Sequence, residues 1–183
     1  GAVSPEPPDV AHVAKLEVAG PAGPIPVRYY RPIGSAEDDV LSVLIYFHGG
    51  GWVIGDRNTH DVVCRQLAND GDFAVLNVDY RLAPEAKFPA AVDDCFAVVQ
   101  WAVNGAAGLK VDFERIALAG DSAGGTLTTV CAKLALDQGT PIAFQAMIYP
   151  ATDMHRKTKS HEEFSDGYLL TKEAQDWFHE QYL

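Results

Sequence analysis

Basic charge is what this chain has least of. Its 183 residues carry 14 Lys and Arg against 25 Asp and Glu, a formal net charge of −11 at pH 7. Nucleic acid and anionic lipid surfaces are bound by clustered Lys and Arg, so the balance argues against both partners and reads as a solvated acidic surface. Long apolar runs are missing too. None approaches the roughly 20 residues of a membrane-spanning helix, and the Pro-rich opening GAVSPEPPDV (1–10) has neither the basic nor the apolar region of a signal peptide. Cysteine is scarce and odd in number. Cys64, Cys95 and Cys131 each fall in a stretch of helical pattern, where a thiol packs as a small hydrophobe. They read as reduced and structural, which suggests cytoplasm. No repeat or low-complexity tract is visible. With 48% apolar and 21% charged residues, the composition is that of one globular domain with a sizeable core.

Strand and helix patterns alternate along the chain. His12 to Val18, the turn residues PAGP (21–24) and Ile25 to Tyr30 predict an antiparallel hairpin. VLSVLIYF (40–47) and FAVLNV (73–78) are near-continuous apolar runs, the signature of strands buried on both faces, with a helical stretch around Asp61 to Ala68 between them. After Pro89, the residues Val92, Phe96, Val99 and Val103 recur at helical spacing. RIALAG (115–120), a helix over Ala123 to Asp137, and IAFQAMIY (142–149) follow. The alternation predicts an α/β fold with parallel strands 40–47, 73–78, 115–119 and 142–148 in its centre. SHEEFSDGYLL (160–170) has no clear period, and Thr171 then caps a polar helix running towards Leu183.

Gly120, Asp121, Ser122, Ala123 and Gly124 match G-x-S-x-G, a strand-to-helix turn that holds its serine exposed and strained as a nucleophile. The Ala123 N–H, at a helix start, points where an oxyanion would form. Alone, the pattern equally describes a Gly-rich structural turn. HGGGW (48–52) shifts that balance, because three glycines directly after an apolar strand let bare amides approach a substrate oxygen. A phosphate cradle would need the Lys and Ser/Thr of a P-loop, which are absent.

With HGGGW, DYRLAPE (79–85), FPAAVDD (88–94), GDSAGG (120–125) and IYPATD (148–153), nearly the whole chain resembles the bacterial hormone-sensitive-lipase-like carboxylesterases of the α/β-hydrolase fold. The resemblance implies hydrolysis of short to medium acyl esters through an acyl-Ser122 intermediate, without metal or cofactor. It implies an oxyanion hole made by the Gly50, Gly51 and Ala123 amides. His48, Gly49 and Asp121 would support that hole, and Asp79, Arg81 and Glu85 would form an ion-paired loop. Residues 1–159 would be the hydrolase core, and residues 160–183 part of the cap over the acyl pocket. The resemblance extends to a non-catalytic plant hormone receptor of the same fold, but that pattern departs from the third loop glycine, which Gly51 keeps here.

A serine of this kind needs a histidine base oriented by an acid, supplied in this fold after later strands. Only 61 residues follow Ser122. Six strands are legible where the resemblance calls for eight, so the acid and base are not in evidence and the chain reads as shortened at both ends. His155, His161 and His179 read as solvated loop and helix residues, and Asp153 follows a strand one too early to be the acid. The sheet edge left open would call for a complementing C-terminal segment or a second copy.

Overall fold

Residues 6–105, 108–155 and 158–183 are described by the computed structural model of the protein; the first five residues of the Pro-rich opening lie outside them. In chain order the elements are β1 (His12–Gly20), β2 (Gly23–Arg31), β3 (Leu41–Phe47), α1 (Asp61–Gly71), β4 (Ala74–Val78), α2 (Ala90–Val103) and β5 (Val111–Asp121). α3 (Ala123–Asp137), β6 (Phe144–Ile148), α4 (Lys159–Glu163) and α5 (Lys172–Tyr182) complete the chain.

The six strands form one sheet in the order β1-β2-β4-β3-β5-β6. β4, β3, β5 and β6 run parallel, and the hairpin joins antiparallel through β2, with Tyr29 opposite Leu76. This is the α/β-hydrolase arrangement that the sequence predicts. β6 is an edge strand among the described residues, with Phe144 and Met147 exposed.

Strand periodicity divides the core in two. Val43, Ile45, Phe47, Leu76 and Val78 face α2 and α3, which contribute Cys95, Val98, Val99, Leu127 and Cys131. Leu44, Tyr46, Val75 and Ala119 face α1, with Cys64 and Ala68. Each central strand therefore carries apolar side chains on both sides, which is why its sequence shows no alternation. All three cysteines are buried and free, and burial pushes their thiols up.

β5 begins four residues before the RIALAG run. Val111 pairs with Leu41 across a register shift, and the intervening Asp112 to Arg115 are too polar to show as a strand. Within 160–170 the short helix α4 overlaps the stretch without clear period. Thr171 caps α5 as expected, accepting from Ala174 N at 3.2 Å. No helix among the described residues is long and apolar enough to cross a membrane.

Candidate active site

β5 ends at Asp121 and α3 starts at Ala123, leaving Ser122 alone on the turn. Its backbone sits at φ 53°, ψ −117°. Such a conformation costs a non-glycine residue about 1–3 kcal/mol and persists only where neighbours over-determine it. They do so here: Ser122 N donates to Ile148 O at 2.9 Å, and Ser122 O accepts from Thr126 N at 3.2 Å in the first turn of α3. A Cβ on Gly124 would collide with Phe47 O and His48 O, so only glycine lets α3 start this close to the end of β3.

The HGGGW loop leaves β3 beside this turn, and its peptides are held at both ends. Tyr80 Oη donates to His48 O at 2.7 Å, and Gly49 N donates to Asp121 Oδ1 at 3.0 Å, which fixes the peptide between residues 48 and 49. His48 Nδ1 lies 2.8 Å from Gly49 O; a carbonyl only accepts, so the ring carries its proton on Nδ1. In a trans peptide C=O and N–H point in opposite directions. Holding Gly49 O therefore aims the Gly50 N–H the other way. The loop then turns through Gly50 at φ +126° and Gly51 at φ +59°. Gly51 N and Ala123 N donate to no acceptor among the described residues, and Gly51, Ala123 and Ser122 line one cavity of about 320 Å³.

The supporting shell is fully buried at its centre. His48 is buried and stacked on Tyr80 at 4.3 Å. Burial favours the neutral ring and holds its imidazole below the usual range, outweighing the Gly49 carbonyl contact, which favours the charged ring. For Asp121, burial would raise the carboxyl, but contacts from His60, Tyr46 and Gly49 N outweigh it and hold the group below the ordinary carboxylate range. Sequence reasoning missed His60. Its Nε2 lies 3.2 Å from Asp121 Oδ1, which also accepts from Tyr46 Oη at 2.8 Å. A histidine in a polar helix-start segment, THD (59–61), carries no local mark of that neighbour.

α5 roofs the cavity. Phe178 packs on Gly51, and Tyr182 stacks on Trp52 at 4.5 Å while its carbonyl accepts from Phe88 N at 2.8 Å. His161, His179 and Asp153 also line the cavity. The two histidines are half-buried, which corrects their reading as solvated residues, whereas His155 is exposed. The expected ion-paired loop also has different partners. Arg81 makes a two-pronged contact with Asp94 on α2, with both bonds at 2.8 Å. Asp79 pairs with Arg57 at 3.6 Å, and Glu85 is exposed. Asp94 was legible only as part of FPAAVDD, with nothing local to link it to Arg81. No cluster of three or more His, Cys, Asp or Glu among the described residues could hold a metal ion.

A family model described as alpha/beta hydrolase fold matches residues 44–183. The carboxylic ester hydrolase LipN of Mycobacterium tuberculosis is 46% identical over 178 residues, covering 93% of this chain and 46% of that protein. The ethyl acetate hydrolase of Pseudomonas putida is 41% identical over 86% of this chain and 50% of its own length. An ester hydrolase from the metagenome of Lake Arreo superposes with a TM-score of 0.93 at 47% identity, over 97% of this chain and 56% of that one. An esterase from the archaeon Pyrobaculum calidifontis gives 0.91 at 42% identity, over 96% and 58%. The chain spans about half the length of the curated relatives it matches.

Proposed function

The chain belongs to the α/β-hydrolase-fold family, and from that premise we propose that it carries the nucleophile and oxyanion hole of a serine carboxylesterase acting on short to medium acyl esters. One observation carries the reading. A strained serine between strand and helix opens into the same cavity as two unbonded amides, Gly51 N and Ala123 N. Ser122 Oγ attacks the ester carbonyl carbon, and the electron pair of the C=O bond moves to oxygen, which the Gly50, Gly51 and Ala123 N–H groups receive. Collapse expels the alcohol and leaves acyl-Ser122, which water then hydrolyses. The cavity lies at the small end of the roughly 300–1,000 Å³ typical of small-molecule sites, which favours short to medium acyl groups. Residues 160–183 act as part of a cap over that pocket. The buried thiols fit a reducing, cytoplasmic setting.

The Ser122 proton has to pass to a histidine oriented by an acid. Hydrolysis of p-nitrophenyl esters from acetate to octanoate by the full-length gene product, beside matched amides, tests the proposal. Ser122→Ala should abolish acyl-enzyme formation. Wild-type turnover in Ser122→Ala, or a preference for the amides, refutes it.

A further inference from the structure

Asp121 Oδ1 is a junction. It takes Gly49 N from the oxyanion loop, Tyr46 Oη from β3 and, at 3.2 Å, the Nε2 of His60 at the start of α1. The carboxylate precedes Ser122 in the chain, so a single group ties the nucleophile turn to the loop. A carboxylate held by one neutral hydroxyl and one amide can still pivot about χ2, where the barrier is soft. A third contact from a separate element removes that freedom. His60 is itself held: its Nδ1 lies 2.9 Å from Thr59 Oγ1, and Thr59 closes a turn with Asp56 through bonds of 3.0 and 2.8 Å. Its ring also lies beside His48, with centroids 5.5 Å apart. Both side chains of the His60–Asp121 contact are largely shielded, at 18% and 14% exposure. Water therefore cannot readily replace the contact.

We propose that His60 is a positioning residue for the oxyanion hole, acting through Asp121 to fix the peptide between residues 48 and 49, which anchors the loop whose next peptide presents the Gly50 amide. The inference rests on the esterase reading of Ser122. His60 touches no reacting atom. It helps set where the Gly50 amide points, and that amide matters most when negative charge develops on the substrate oxygen. Losing it therefore lowers kcat and leaves KM nearly unchanged, because ground-state binding in the cavity does not use this shell.

The test uses the full-length gene product with a p-nitrophenyl ester, comparing wild type, His60→Ala, His60→Gln and Ser122→Ala. Glutamine can present an N–H near the position of Nε2, whereas alanine cannot. His60→Ala should lower kcat about tenfold, below the roughly 10²–10³ seen when an oxyanion donor itself is removed, with KM within about twofold. His60→Gln should recover to within about threefold of wild type. The proposal is overturned if His60→Ala keeps wild-type kcat, if the loss falls on KM, or if His60→Gln is no better than His60→Ala. Melting curves of the variants accompany the kinetics; a kcat loss in both His60 variants that tracks their melting temperatures makes the role one of packing and also overturns it. Turnover surviving in Ser122→Ala marks instead the failure of the esterase reading.

Discussion

Gly51→Ala isolates what the roof helix demands of the oxyanion loop. Gly51 has φ +59°, and a Cβ built there would lie 2.5, 2.6 and 2.8 Å from Cγ, Cδ1 and Cδ2 of Phe178. Two costs follow. The left-handed backbone costs alanine about 1–2 kcal/mol. The ring contact adds the roughly 1–3 kcal/mol of overpacking, because Cγ is the root of the ring and yields only by a change of χ1 or a shift of α5. The sum, about 2–5 kcal/mol, corresponds to a melting temperature lower by roughly 4–20 °C in a domain of this size. Turnover should fall by on the order of 10²-fold, since the displaced amide is one of the proposed oxyanion donors. Differential scanning calorimetry and ester kinetics read the two effects, and repeating the substitution in a Phe178→Ala background separates the costs. There the ring is gone, and only the backbone cost of about 1–2 kcal/mol should remain. An equal cost of Gly51→Ala in both backgrounds refutes the packing of Phe178 on Gly51.

Three further outcomes follow from the site. Ser122→Gly should abolish turnover yet stabilise the fold by about 1 kcal/mol, the roughly 1–3 kcal/mol of relieved strain less the ~0.5–1 kcal/mol entropic cost of glycine; a lowered melting temperature contradicts it. His48 has a folded pKa below its unfolded value, so the unfolded chain takes up a proton first on acidification, and stability present at neutral pH is lost as pH falls below about 6.5. The slope from this one group is at most about 1.4 kcal/mol per pH unit; urea unfolding at pH 8, 7, 6 and 5 measures it, and stability that rises towards pH 5 is the opposing result. Residues 1–183 purified alone should show only the residual rate of a dismantled triad, roughly 10³–10⁴-fold over water, and turnover within tenfold of the full-length protein would point to His161 or His179 as the base.

Local chemistry was readable without coordinates. The glycines of HGGGW and GDSAGG admit few backbone paths, so these two stretches marked the tight strand-to-helix turn that carries Ser122 and the loop beside it. The runs 40–47 and 73–78 declared buried parallel strands because a sheet covered on both faces leaves no polar positions. The capping threonine of α5 was equally local. Relations between distant residues were decided only by the tertiary fold. Arg81 could have met Asp79 or Glu85 within its own loop, and it takes Asp94 because α2 carries that carboxylate back across the strand ends. His60 and Asp121 are 61 positions apart, and α5 meets Gly51 from more than 120 positions away. No periodicity or motif encodes such pairs, since the forces that make them, burial and charge contact, act through space and not along the chain. Sequence thus determined which groups can do chemistry, and the folded sheet with its covering helices decided which neighbours aim them.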